Sequence, residues 1–187
     1  MRDKKSSHLH INILNSFIED LTVSKSAKRH NLSRYMVNNY YQKIRYYLLN
    51  EFDKTNHLLY LKSRKKEFYL KYFQISNFLI FYIEFENIII FENDLKYKID
   101  KQILDSLFNH KRANCIKLTY NEESNKLNII NFYKQKSNLN EFVVSRLKKF
   151  RGINQEKIYI HLKESIIRYK KNEYNLKKII DKIPILQ

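Results

Sequence analysis

The sequence has one cysteine, one proline, one glycine and no tryptophan, and its alanines are confined to Ala27 and Ala113. Each scarcity excludes something. Cys115 alone cannot build a disulfide framework or supply the paired thiolates of a cysteine-rich zinc site. Because Gly152 is the only glycine, no glycine-rich loop can cradle a phosphate, and nucleotide hydrolysis of the P-loop type is excluded. Acids are also scarce: 19 Asp and Glu stand against 36 Lys and Arg, a formal charge of +17 over 187 residues. A chain this basic is expected to meet a polyanion, either nucleic acid or an anionic membrane surface. The abundant Lys, Asn, Ile, Tyr and Phe have AT-rich codons, so compositional drift accounts for part of the lysine excess. It does not account for the deficit of acids. Long apolar runs are missing too: Asn77 to Phe91 is interrupted by Glu84, Glu86 and Asn87 and falls short of a membrane span. Met1 opens onto Arg2-Asp3-Lys4-Lys5 with no apolar segment behind it, so no signal peptide is expected. The expected location is cytoplasmic, at the nucleoid.

What is present is enough apolar and aromatic surface, 43% of residues, for a packed core. Punctuation must come from Asn, Ser and Asp. Ile13, Leu14, Phe17, Ile18 and Leu21 recur at helical spacing. Thr22 and Ser24 offer caps for a short helix to Arg29, and Asn31 suits a left-handed turn residue. Ser33 caps a long helix to about Phe52. Residues 54–66, polar at both ends, read as a linker. Phe68 to Ile75, Phe78 to Phe85 and Ile88 to Phe91 are rich in aromatic and β-branched residues and short enough for strands. Leu95 to His110 returns to helical spacing. Cys115 to Tyr120 and Leu127 to Tyr133 flank a hairpin signal at Asn121-Glu122-Glu123-Ser124-Asn125. From Leu139 the chain is helical again, with one helix to about Arg151 and another from Asn154. The expected fold is therefore α+β.

The strongest constellation lies between Val23 and Tyr40. Two steeply packed helices need a small residue at their contact, a left-handed residue in the turn, and apolar side chains on the inner face of the second helix. Ala27, Asn31, and Leu32 with Val37 and Tyr40 meet these needs at the spacing of a helix-turn-helix. Ser33, Arg34, Tyr35, Asn38, Asn39 and Gln42 are then expected to point outward. Asn and Gln suit bidentate pairing with adenine, and Arg suits guanine or phosphate. Lys25, Lys28, Arg29, Lys43 and Arg45 are expected to meet backbone phosphates.

The run from Phe17 to Leu49, with its Ser26-Ala27-Lys28, Asn31-Leu32-Ser33 and Val37-Asn38-Asn39-Tyr40-Tyr41 segments, resembles the N-terminal helix-turn-helix of compact insertion-sequence transposases. The stretch from Arg146 through Gly152 and Glu164 to Asn172 is similar to the end of that family. There a basic helix and a glycine precede a final helix. Together the two ends cover about a third of the chain. The family is of the DDE class, so the resemblance implies an RNase H-like catalytic domain holding divalent metal on carboxylates. Its Asp-Glu pair would fall on Glu86 and Asn87, and its final acid near Ser137, with Glu141 one helical turn later. Asp94, Asp100 and Asp105 sit in an expected helix and do not supply the second aspartate. The tryptophan of the family's last motif has no counterpart.

The resulting reading has residues 1–53 as a helix-turn-helix DNA-binding domain, 54–66 as a linker, and 67–187 as a reduced RNase H-like sheet covered by C-terminal helices. The expected function is double-stranded DNA binding by a transposase derivative without strand cleavage. No cofactor and no membrane is expected, and a homodimer is an option. Two alternatives stand beside it. One is an active DDE recombinase using Glu86 and two other acids with magnesium or manganese. The other is a DNA-binding regulator of mobile DNA. The bland alternatives are two ordinary packed helices, a solvated strand face for Glu84 and Glu86, a solvated linker for Ser63-Arg64-Lys65-Lys66, and core roles for Phe68, Tyr69, Tyr72 and Phe73.

Overall fold

The structure is a computed structural model and describes residues 2–62, 67–75, 77–86, 88–94, 99–110, 112–121, 123–124, 126–150, 155–171 and 173–181. The fold is α+β, with seven helices and a five-stranded antiparallel sheet among the described residues. It divides into two compact units, Met1–Asp53 with Ser145–Gln187, and Lys54–Val144.

The first unit holds α1 (Arg2–Ile18), α2 (Val23–His30) and the start of α3 (Arg34–Lys62). It also holds the end of α5 (Asn138–Leu147), then α6 (Gln155–Lys170) and α7 (Glu173–Ile180). Ile13, Leu14, Phe17 and Ile18 of α1, Ala27 of α2, and Val37, Tyr41, Ile44 and Leu48 of α3 form one core. Ile167, Leu176 and Ile180 from the far end of the chain complete it. Helices α6 and α7 therefore group with the N-terminal helices in one unit, whereas the sequence suggests residues 67–187 together as one domain. Their apolar stripe finds its complement in α1 and α3. The expected linker at 54–66 differs as well: α3 continues unbroken to Lys62, because Asp53 to Lys62 contains no glycine or proline to stop it. Residues 63–66, the basic cluster, lie outside the described residues.

A buried charge cluster locks this unit. Glu164 is 1% exposed and accepts hydrogen bonds from Arg45 Nε at 2.7 Å, Arg146 Nη2 at 2.6 Å and Arg168 Nε at 2.9 Å. Arg146 also reaches Asp20 at 2.6 Å and Ser165 at 2.7 Å, and Lys149 reaches Asp20 at 3.0 Å. Arg168 donates to the carbonyls of Phe17 and Ile18 at the end of α1, where the Phe17 carbonyl also accepts from the Asp20 amide. Burial alone would raise the Glu164 carboxyl, but the charges of Arg146, Arg45 and Arg168 outweigh it and hold the group well below the usual carboxylate range.

The second unit carries β1 (Glu67–Ile75), β2 (Phe78–Phe85), β3 (Ile88–Phe91), α4 (Lys101–Asn109), β4 (Cys115–Asn121) and β5 (Lys126–Tyr133). The strand order is β3-β2-β1-β4-β5, and every pair is antiparallel. All five strands fall where alternation placed them, within a residue. On one face Phe68, Leu70, Ile83, Phe85, Ile88, Ile116 and Leu118 pack against Ile99, and Ile103 and Leu107 of α4. On the other, Phe73 stacks on Tyr82 at 4.5 Å beside Phe91. Phe68 and Phe73 are thus core residues. Helix α4 is shorter than expected: Asp100 caps it by accepting from the Gln102 amide, and Leu95 to Lys98 lie outside the described residues. In the β4–β5 connection the Asn121 side chain accepts from the Glu123 and Ser124 amides, doing locally what an Asn-Gly turn does through its backbone. Glu122 and Asn125 of that turn, and Gly152 and Asn154 further on, lie outside the described residues.

Replacing Glu164 by glutamine leaves three buried guanidinium groups short of one charge, and should cost the full chain about 3–5 kcal/mol at neutral pH. The folded-state value of Glu164 lies below its unfolded value. The stabilisation is therefore complete above about pH 4.3 and is lost as the pH falls below it. Denaturation midpoints measured from pH 7 down to 3 should show this decline in the parent and a shallower one in Glu164→Gln. Equal slopes would contradict the assigned role.

Candidate functional site

The α2–α3 connection is built by its side chains. The Thr22 hydroxyl accepts from the Lys25 amide at 3.4 Å and starts α2. Asn31 takes φ 53° and ends it, with the Leu32 amide bonded back to the Ala27 carbonyl at 2.9 Å and the Asn31 amide to Lys28. This is the paired 6→1 and 5→2 closure that usually uses glycine at the left-handed position. Asn31 holds the predicted conformation. The Ser33 hydroxyl then accepts from the Met36 amide at 3.2 Å and starts α3. Ala27 is buried, as its small size suggested. Leu32 and Tyr40 pack partly buried against the core that contains Val37.

With Val37, Tyr41, Ile44 and Leu48 turned inward, α3 presents an outward ridge. Tyr35 and Tyr46 stand out at 77% and 70% exposure, with Gln42 and Lys43 exposed between them and Asn38 and Asn39 half-buried on the flanks. Arg34 is exposed at the first turn. Lys25 and Lys28 are exposed on α2; Arg29 is also exposed and pairs with Glu19 at 2.5 Å. Ser33, although exposed, has its hydroxyl engaged as a cap. Arg45 departs from expectation. It is 8% exposed and bound to Glu164, so it is a core ion and not a phosphate contact. Its place beside Tyr41 and Ile44, at the margin of the buried stripe, draws it inward, where Glu164 compensates its charge.

The ridge borders a groove of about 890 Å³ within the first unit. Arg34, Asn38 and Gln42 line one wall, Lys149, Phe150 and Lys157 line the other, and Thr22 and Ser24 lie among them. Sequence reasoning missed Tyr46, which continues the ridge one helical turn past Gln42. It also missed Lys149 and Lys157, whose approach across more than a hundred residues has no local signal. Phe150 is fixed by the Arg146 guanidinium over its ring at 5.2 Å and by the His161 ring at 4.9 Å. Burial lowers the His161 pKa to about 4, so the imidazole is neutral near pH 7. Residues 1–53 and 145–187 carry 21 Lys and Arg against 9 Asp and Glu, which is +12 of the chain's +17.

The acids of the sheet unit do not converge. Glu86, the strand position suggested for a catalytic carboxylate, is an exposed turn residue between β2 and β3 with φ 51°. Glu84 accepts from Lys71 at 2.5 Å. Asp94 lies in a 3₁₀ turn, Asp100 caps α4, and Asp105 lies along α4. Ser137 caps α5 through the Asn140 amide, and Glu141 is exposed on that helix. Asn87 lies outside the described residues. Among the described residues no three His, Cys, Asp or Glu gather closely enough to hold a metal ion. Cys115 is fully buried, and burial raises its thiol to about 11, so it is a small core residue rather than a nucleophile. No helix among the described residues is long and apolar enough to cross a membrane.

No family model, curated protein or solved structure matches the chain.

A side chain with a Cβ costs about 1–2 kcal/mol in the left-handed region, and asparagine tolerates that region better than glutamate. The Glu86→Asn variant should therefore be more stable than Glu86→Gln, which keeps the longer side chain, by about 0.5–1 kcal/mol in urea titration. The opposite order would show that the longer side chain does more than occupy a turn.

Proposed function

We propose that this protein binds double-stranded DNA, with α2 and α3 acting as a helix-turn-helix and the ridge of α3 entering the major groove. The observation that carries the reading is that ridge. A helix started by Ser33 and held by the Asn31 turn exposes Arg34, Tyr35 and Gln42, with Asn38 and Asn39 beside them, on the unit that carries most of the net positive charge. A helix with its side chains is about 10–12 Å across, which matches a major groove about 12 Å wide. Asn38, Asn39 and Gln42 offer the donor and acceptor pair that reads adenine, and Arg34 offers a fork for guanine or phosphate. Lys25, Lys28 and Lys43 supply sequence-independent attraction to the backbone. A palindromic target would call for two copies of the chain, and a homodimer belongs to the same proposal.

The proposal extends to descent. The motifs at the two ends support a relation to compact insertion-sequence transposases, and we propose the sheet as a reduced form of their RNase H-like sheet. The support is those motifs and not the strand pairing, which is antiparallel throughout. Binding without strand cleavage is proposed because no three of the described His, Cys, Asp and Glu residues gather to hold a metal ion. Terminal inverted repeats flanking the gene would support the relation.

Selection from a random duplex pool should enrich a defined site. Against that site Arg34→Ala and Asn38→Ala should each lose about 1–3 kcal/mol while keeping the parent's thermal midpoint. Affinity should fall steeply between 50 and 200 mM salt, as counterion release requires. Failure to enrich any site, or a flat salt response, would remove the DNA reading.

A further inference from the structure

The groove beside α3 has walls from opposite ends of the chain and a one-sided charge. Arg34, Arg45, Lys149 and Lys157 line it, and among its described lining residues none is an acid. Arg45 is committed to Glu164. Lys149 meets Asp20 at 3.0 Å but keeps a side chain 53% exposed, and Arg34 and Lys157 are exposed. The buried cluster behind the groove does not cancel this charge. Arg45, Arg146, Arg168 and Lys149 share Glu164 and Asp20, so groove and cluster taken together, with Arg34 and Lys157, set six cations against two acids among these residues. His161 is neutral near pH 7 and adds nothing to either sign. The groove's occupant is therefore an anion.

Its length decides which kind. From Arg34 to Leu49 the wall of α3 runs fifteen residues, about 22 Å at the helical rise, which is far longer than one phosphate and suits a stretch of phosphodiester strand. On the far wall Phe150 lies between the Arg146 guanidinium and the His161 ring. The placement also fits. A helix filling the major groove has a phosphate strand along each flank. On one flank of α3 lie Ser33, Asn39 and Lys43, which line a shallow surface depression. On the other flank lies this groove.

Building on the DNA-binding reading above, we infer that the groove takes the phosphodiester strand bordering the major groove, and that Lys149 and Lys157 grip it from the C-terminal side. The clamp is sequence-blind: it sets affinity and register while the ridge reads bases.

The test uses the full chain and its selected duplex, with Kd measured across a salt series. Each lysine that meets a phosphate contributes about 0.9 to the slope of log affinity against log salt. Lys157→Ala, which leaves the buried cluster intact, should lower the slope by about one. The Lys149→Ala, Lys157→Ala double variant should lower it by about two and weaken binding by roughly 10- to 100-fold at 0.1 M salt. Both should keep the parent's ratio of affinity for selected over scrambled duplex. Asn38→Ala should instead reduce that ratio and leave the slope nearly unchanged. A parent that binds no duplex overturns both readings. A binding parent with an unchanged slope in Lys157→Ala and in the double variant, both folded by circular dichroism, overturns the clamp alone. Competition by inorganic phosphate at millimolar concentration, equal in parent and Lys157→Ala, would also count against the clamp.

Discussion

The helical unit depends on one buried carboxylate. Glu164 accepts from three guanidinium groups, and those arginines lie on α3, α5 and α6, while Asp20 at the end of α1 shares Arg146. The arrangement makes association of the chain's two ends an electrostatic requirement. Without α6 the buried Arg45 has no counter-ion, and without α3 and α5 Glu164 has one guanidinium where it now has three. An apolar replacement of the whole set would give comparable stability on general grounds, whereas removal of one member leaves an uncompensated buried charge. The cluster therefore specifies which helices meet more than it adds net free energy. Arg168 extends the specification by bonding the Phe17 and Ile18 carbonyls and lying over the Phe17 ring at 4.6 Å.

Scarcity of glycine shapes the turns around that cluster. Three residues with side chains take the left-handed conformation, and different local interactions accompany each. Asp20 sits where α1 closes, with the Leu21 amide bonded to the Ser16 carbonyl, and its carboxylate pairs with Arg146 and Lys149. Glycine there would relieve strain and lose the ion pair, so charge outweighs conformational cost. Asn31 is the least costly of the three, since its short polar side chain tolerates the region. Glu86 has the weakest justification on physical grounds, being a longer side chain in a two-residue turn where Asn, Asp or Gly are usual.

Local features were legible in the sequence and long-range ones were not. The strands were readable because alternation of aromatic and β-branched residues has period two. The α2 turn was readable because Asn31, Ala27 and Ser33 each meet a local steric or hydrogen-bonding need. Arg45 was misread because a basic residue defaults to solvent unless its partner is known, and Glu164 lies 119 positions away. The grouping of α6 and α7 with α1 was unreadable for the same reason: their apolar stripes state that they are covered and not by what. The linker was misread because polar composition was taken as a break, while helix propensity runs unopposed through Lys62. Glu86 lies just past the strand end that the sequence set at Phe85, so only the family resemblance, and not the strand pattern, suggested it as a catalytic carboxylate.

The distribution of charge bears on whether the basic composition is drift or function. AT-rich coding would raise lysine wherever the chain tolerates it and would do so in both units. The two units are of nearly equal length and carry nearly equal numbers of acids, yet the helical unit holds 21 of the 36 cations and the sheet unit the remaining 15. The excess thus lies on the unit that exposes the α3 ridge, and within that unit the groove beside the ridge has no acid among its described lining residues. A drifting surface would scatter Asp and Glu along such a groove as readily as elsewhere. A surface that must attract a polyanion and release its counterions would exclude them. The concentration of the excess on one unit, more than the number of lysines, is therefore the part of the composition on which the proposed DNA binding rests.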